Sequence, residues 1–351
     1  MSTCRLIAAA CGYSKASVSL ALRGDPRIPA ATRAKICAVA GKLGYQPDPK
    51  AASYLAHVRR KRPEAERPVI AVVHTFAETQ PWLGNRFLEF FRKTTAERAA
   101  VLGYRVEWFQ GGPKGHAPTA LGRILRARGI EGVLLAPSGL PANPLPKRLE
   151  RFALAACTER GWRPVLHRAQ PDHYQNSRVA LARLAQLGYR RIGLAVVGEA
   201  TVLERQEVEA AWRVWLAGTP DAQVVAPLRC LDYELDGLSS WLEAARPEVV
   251  LTNYSGLDEV LRERGWKVPG QVALAVIGIG EFNRGLAGVD ARGAAVDAEC
   301  VNLVAQQLVT GERGVPRDPR LVLFEGQWRD GPSAPPLRSA RATVKPRRAR
   351  G

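Results

Sequence analysis

From Val69 onward, short uninterrupted apolar runs alternate with helix-length segments, and no other feature of the chain constrains its fold as much. The runs are Val69–His74, Val106–Phe109, Gly132–Ala136, Pro164–Leu166, Ile192–Val197, Val249–Thr252 and Val272–Ile277. A strand exposed on one face alternates apolar and polar side chains, so a run apolar at every position is covered on both faces. Helices that cross over a parallel sheet supply that double cover, which predicts α/β architecture with parallel sheets. A stretch this long overfills one core, and the series restarts near His167. Two α/β lobes are therefore expected.

The first 48 residues follow a different period. Leu6, Ile7 and Ala10 stripe one short helix, and Val18, Ala21 and Leu22 stripe a second. Ile36, Val39, Ala40 and Leu43 fall at i, i+3, i+4 and i+7, one apolar face of a third. Between the first two, Gly12 can take the left-handed conformation that ends a helix, and Ser14 can cap the next. A helix, a short turn containing Gly and a second helix form a helix-turn-helix, which aims the start of its second helix at base edges. Ser14, Lys15, Ala16 and Ser17 then face the groove and Ser19 the phosphates. Lys15 suits donation to a guanine, and Ala16 can offer only an apolar contact such as one to a thymine methyl.

Charge divides the chain in the same way. Residues 1–62 hold 12 Lys/Arg and two acids, and residues 338–351 hold six Lys/Arg and none, leaving only +2 of the +18 total for residues 63–337. A basic head on a nearly neutral body suits a chain whose N-terminus meets a polyanion. Pro47-Asp48-Pro49 stops the third helix, and the Ala-rich stretch up to Arg59-Arg60-Lys61-Arg62 reads as a linker. The Pro- and Ala-rich tail, residues 338–351, is expected to be disordered.

Other chemistries lack their residues. The six cysteines form no C-x-x-C pair and sit in apolar stretches as small hydrophobes, so neither a disulfide framework nor zinc is expected. Gly278-Ile279-Gly280 has its next glycine at Gly285, which breaks the dinucleotide-binding spacing, and Gly111–Gly115 lacks the Walker pattern. His167 and His173 are placed on a loop without a third metal ligand. No catalytic residue, metal or cofactor is expected. With no run of about 18 apolar residues and no basic-then-apolar leader, a cytoplasmic protein without a membrane partner is expected.

The pattern Ile7-Ala8-x-x-Cys11-Gly12-Tyr13-Ser14-x-x-Ser17-Val18-Ser19-x-x-Leu22, followed by Thr32-Arg33 and Leu43-Gly44-Tyr45-x-Pro47-Asp48, resembles the N-terminal signature of the LacI/GalR family of bacterial transcriptional regulators. Two positions depart from it: Leu20 stands where the family usually has Arg, and Pro29 where a Ser usually caps the third helix. Leu187–Gly193, Val268-Pro269, Val276-Ile277-Gly278, Gly314-Val315-Pro316 and Leu323–Trp328 are similar to the family's periplasmic-binding-protein-like core. The resemblance implies a small all-α helix-turn-helix head at residues 1–48, a hinge at 49–66 and a two-lobed core at 67–337. Lobe 1 would span 67–165 plus 291–323, and lobe 2 166–290 plus 324–337, with an effector cleft between them. It places Tyr54 and Leu55 where the family wedges a side chain into the minor groove.

For the effector, the resemblance points to Asn253, Tyr254, His167 and Arg205, with Thr75, Phe76 and Trp82 after the first strand. Tyr254, Gly280 and His167 replace acids of the family pattern, which favours an anionic sugar derivative over a plain hexose. The implied function is a sequence-specific repressor of a carbohydrate-utilisation operon. It would act as a homodimer on a pseudo-palindromic operator, controlled by a small sugar-like effector. The competing class is an effector-insensitive architectural DNA binder. No leucine heptad follows Leu337, so no device for tetramers is expected.

Overall fold

The structure is a computed structural model. It describes residues 3–22, 28–43, 59–76, 79–80, 82–83, 85–111, 115–116, 118–136, 142–144, 147–157, 161–198, 203–230, 235–280, 283 and 285–337.

The head consists of α1 (Thr3–Cys11), α2 (Lys15–Leu22) and α3 (Ala30–Lys42). They meet on Ile7, Val18, Ala21, Ile36 and Ala40, with Cys4, Ala8 and Cys11 partly buried around them. The expected stripes need one correction, because Leu6, Ala10 and Leu43 are exposed. The contact face of α1 extends to one side of Ile7, through Cys11, Cys4 and Ala8 within about 100°, while Leu6 lies about 100° to the other side. Pro29 starts α3 without any side-chain cap.

The described residues of the rest of the chain build two six-stranded sheets and one two-stranded sheet from β1 (Val69–His74), β2 (Arg105–Gln110), β3 (Gly132–Leu135), β4 (Ala142–Pro144), β5 (Ala153–Cys157), β6 (Gly161–Arg163), β7 (His167–Pro171), β8 (Ile192–Val197), β9 (Leu228–Cys230), β10 (Val249–Thr252), β11 (Ala273–Ile279), β12 (Ala287–Asp290), β13 (Leu321–Phe324) and β14 (Gln327–Arg329). The first large sheet runs β13-β7-β5-β3-β1-β2 and the second β14-β12-β11-β10-β8-β9, with β4 and β6 paired separately. From β2 to β7 and from β9 to β12 every pair is parallel, and β14 joins β12 antiparallel. The helices between strands are α4 (Arg86–Val101), α5 (Pro118–Ala127), α6 (His173–Gln186), α7 (Leu203–Ala217), α8 (Leu238–Ala245), α9 (Leu257–Glu263) and α10 (Gly293–Thr310). The chain divides into two compact units, Met1–Gln170 with Ala294–Val322 and Pro171–Gly293 with Leu323–Gly351, and so passes between them three times.

β8 shows why its residues are apolar throughout. Ile192, Leu194 and Val196 enter a core with α6 and α7, while Ala195 and Val197 enter a second with α8 and α9. Gly288, at φ +157, lets β12 approach β11 where a Cβ would strike the Val276 carbonyl. The strand expected at Pro164–Leu166 begins three residues later, at His167, and Ala153–Cys157 forms a central strand that is not among the expected runs, although Phe152–Cys157 is apolar throughout. Because β7 pairs with β5 only from Ala155 onward, Leu154 has no partner strand on that side. Gln307 of α10 fills the gap, accepting from Leu154 N at 3.0 Å and donating to Leu154 O at 2.8 Å. The cysteines also divide: Cys157, Cys230 and Cys300 are buried, but Cys37 is exposed rather than packed as a small hydrophobe.

α10 carries a buried acid. Asp297 is 8% exposed, and its Oδ2 lies 2.6 Å from Thr94 Oγ1 of α4. Burial, only partly opposed by the Thr94 hydrogen bond, pushes this carboxyl up to about 7. Thr94 Oγ1 is also 3.0 Å from the Phe90 carbonyl, so it can donate there and accept from a protonated Asp297. Since the folded pKa is raised, the native state keeps this proton over a range where the unfolded chain has released it. Stability therefore falls as pH rises from about 4 to about 7. Asp297→Asn is expected to be more stable than the parent at pH 8, on the order of 3 kcal/mol, with the gap narrowing towards pH 5. Denaturant unfolding at both pH values checks this, and a gap equal at pH 5 and 8 would refute it.

Candidate functional site

The turn of the head is built from its own sequence. Gly12, at φ +73, closes α1 through its N–H to the Ala8 carbonyl at 3.0 Å. Ser14 then caps α2, its Oγ accepting from Ser17 N at 3.0 Å. The Ser17 hydroxyl lies 2.9 Å from that same Oγ. Within the expected DNA-contacting set, Ser14, Lys15 and Ala16 are exposed and Ser17 and Ser19 are half-buried. The first turn of α2 therefore offers one cation and one small apolar side chain outward, with two hydroxyls spent on its cap. Tyr54 and Leu55 lie outside the described residues.

The carboxyl ends of parallel strands, where α/β sheets take ligands, carry most of the other expected residues. In the first unit, Thr75 and Phe76 follow β1, and Gln110 Nε2 donates to the Phe76 carbonyl at 3.0 Å. An aromatic group gathers here: the Trp82 and Trp108 rings are 4.9 Å apart, the His74 ring is 6.1 Å from Phe76 and 5.9 Å from Trp108, and the Arg92 guanidinium lies 5.0 Å from the Trp82 ring. Sequence reasoning named Thr75, Phe76 and Trp82 but missed His74, Trp108 and Arg92. Trp108 sits in a strand run, where an aromatic reads as core, and Arg92 is one of many helix cations.

His167 belongs elsewhere. It opens β7 instead of lying on a loop, and β5 and β3 separate its strand from β1. Its Nδ1 accepts from Arg320 N at 2.9 Å, which puts the hydrogen on Nε2, 2.9 Å from Glu312 Oε1. Both ring nitrogens are thus used within the first unit, and the side chain ties β7 to the segment before β13. His173 opens α6, away from any loop pair.

In the second unit, Asn253 follows β10 and joins it to β8. Its Oδ1 accepts from Val197 N at 2.9 Å, and its Nδ2 donates to Val197 O at 3.0 Å and Glu204 Oε1 at 3.3 Å. Tyr254 N donates to Thr252 Oγ1 at 3.1 Å, and its ring packs against the second core of this sheet. Arg205 is 7% exposed, its Nη1 donating to the Gly198 carbonyl at 2.7 Å and its Nε to Glu209 Oε1 at 3.1 Å. Arg229 grips the same carboxylate at 3.0 and 2.8 Å, and with Arg205 holds Glu209 below the usual carboxylate range against the effect of burial. Arg205, Gln206, Glu209, Ala210, Arg213 and Arg229 line a depression of about 600 Å³, three cations around one acid. Arg229 and Glu209 carry no motif, and only the folded pairing of β9 with β8 brings them to Arg205.

Residues 5–48 match the family model described as bacterial regulatory proteins, lacI family. An uncharacterized HTH-type transcriptional regulator in the aml 5′ region of Streptomyces limosus is 29% identical over 293 residues, 78% of this chain and 76% of that protein. The HTH-type transcriptional regulator reg1 of Streptomyces lividans is 28% identical over 213 residues, 58% of this chain and 56% of that protein. Among solved structures, a complex of the transcriptional regulator CelR with cellobiose has TM-score 0.59 and 20% identity, covering 94% of this chain and 99% of that one. The lac repressor dimer bound to operator and an anti-inducer has TM-score 0.55 and 15% identity, covering 93% and 97%. Among the described residues no helix is long and apolar enough to cross a membrane. The chain thus joins a helix-turn-helix head that matches the lacI family to a core that shares its fold with the solved regulators of that family.

Proposed function

We propose that this regulator is a repressor of a carbohydrate-utilisation operon, working in the cytoplasm as a homodimer on a pseudo-palindromic operator and controlled by a small sugar-like effector. Residues 1–48 are the reading head and residues 49–66 the hinge, with Tyr54 and Leu55 wedging into the minor groove at the operator centre. The observation that carries this reading is the capped turn at Gly12 and Ser14, which holds Lys15 and Ala16 outward at the start of a recognition helix. Dimerisation follows from symmetry, since one small head makes few base contacts and a two-fold protein matches a two-fold site.

The effector class rests on two groups of residues. Phe76 and Trp82 offer aromatic faces of the kind that pack on sugar rings, and Thr75 beside them a hydroxyl. Arg205, with Arg213 and Arg229, outnumbers the one carboxylate of Glu209 and favours an acidic or phosphorylated derivative. The cellobiose complex of CelR supports a sugar as the class. Asn253 and Tyr254 sit at the strand ends beside Arg205's helix and complete the set. Ligand binding would then change operator affinity as a coupling between two sites.

Selection of bound sequences from random duplex DNA is expected to return a pseudo-palindrome. Lys15→Ala should relax preference at one symmetric pair of positions, at a cost of about 1–3 kcal/mol for each base pair read. Binding without any motif would leave only the architectural class. In thermal-shift assays against cellobiose, sugar acids and sugar phosphates, one compound is expected to stabilise the protein by about 2.7 kcal/mol at 100 times its Kd. Phe76→Ala should abolish that shift while leaving the unliganded Tm within a few degrees, and no shift with any compound would overturn the effector reading.

A further inference from the structure

Arg59-Arg60-Lys61-Arg62 are four consecutive cations that neither the recognition helix nor the effector residues use. A run of this kind is usually a solvated tether. Here it is tied to the first unit. The Arg59 guanidinium lies over the ring of Tyr104, 4.6 Å from its centroid, and Tyr104 is buried. Arg67 reaches back along the segment, Nη2 donating to the Arg60 carbonyl at 3.2 Å and Nε to the Arg62 carbonyl at 3.3 Å. Arg62 N closes a turn on the Arg59 carbonyl at 3.1 Å, and Arg105 Nε donates to the Arg67 carbonyl at 3.3 Å.

Two arginines thus serve as anchors, and their targets are a ring and backbone carbonyls, so the charge of the turn is left uncancelled. Arg60, Lys61 and Arg62 are exposed. Within the segment the acids are Glu64 and Glu66, in the short helical turn that Pro63 opens, against five cations from Arg59 to Arg67, and Glu131, which also acts on Tyr104, is paired with Arg313 at 3.2 Å. At the neighbouring start of β2, Arg105 and Arg128 share the one carboxylate of Glu107, which adds a further positive charge.

We propose that Arg60, Lys61 and Arg62 are a phosphate-binding collar on the core, gripping the DNA backbone beside the bases that the head reads. The inference rests on the reading of residues 49–66 as a hinge at the DNA. Arg60 follows Leu55 by five residues, about 17 Å of fully extended chain, which keeps the collar within reach of the same duplex. Cations held by their backbone lose less freedom on binding than those of a loose tail, and contacts to phosphate position a protein without reading sequence. The collar's signature is therefore the salt dependence of binding and not the motif selected.

The test compares the full-length parent with the triple variant Arg60→Ala, Lys61→Ala, Arg62→Ala by fluorescence anisotropy from 50 to 200 mM salt, on the selected duplex and on random duplex. The slope of log affinity against log salt is expected to fall by about 0.9 for each phosphate that the variant no longer neutralises, up to about 5 for a dimer that leaves six of them free. The selected motif and the Tm should stay as in the parent. Slopes equal to the parent's on both duplexes would overturn the collar, as would loss of binding to phosphatidylserine vesicles with the DNA slopes unchanged. A parent that selects no motif would instead count against the hinged-regulator reading, and the random-duplex slopes would still decide whether the turn grips phosphate.

Discussion

The lobes depend on strands that are apolar on both faces. Ile192, Leu194 and Val196 point one way and Ala195 and Val197 the other, and each set meets its own layer of helices. A parallel ladder cannot be closed by short turns, so every strand brings a crossover that covers the sheet. Carboxyl ends of strands then collect along one edge of each sheet, with loops free to carry polar chemistry. Asn253, Arg205 and the aromatic group at Phe76 and Trp82 are found at such ends because the double cover leaves polar side chains nowhere else to gather.

At those ends, polar groups already have partners. Asn253 satisfies the backbone of Val197, Arg205 the carbonyl of Gly198, and Glu209 is shared by Arg205 and Arg229. This follows from the cost of leaving a buried donor or acceptor unmade, which exceeds the net gain from making it. The chain's own groups therefore hold these strand ends in place.

Much of this was legible in the residues. Gly12 and Ser14 announced the turn of the head through left-handed backbone and capping chemistry, and the strand runs announced the sheets through double burial. Features decided by tertiary placement were not. Ala153–Cys157 escapes the sequence reading because its three alanines give an apolar run without β-branched residues, and it is a fully buried strand between β3 and β7, held by Gln307. Leu6 and Leu43 fit their stripes and still face outward, since a three-helix head has room for only a few side chains at its centre. His167 looked like a ligand-facing residue because it replaces an acid of the family pattern, but the strand register turns it to Arg320 and Glu312. Trp108 and Arg229 gain their neighbours only through strand pairing, which no local window contains.

The smallness of the head's centre has a thermal consequence. Among the described residues its buried centre is Ile7, Val18, Ala21, Ile36 and Ala40, and two of these are alanines. At this size a fold sits near the edge of independent stability, while each lobe fills a far larger interior. The head is thus expected to melt on warming before the sheets do. A bound duplex opposes that melting by mass action, because it binds the folded head and not the unfolded one. Binding of a duplex and folding of the head would then be one equilibrium.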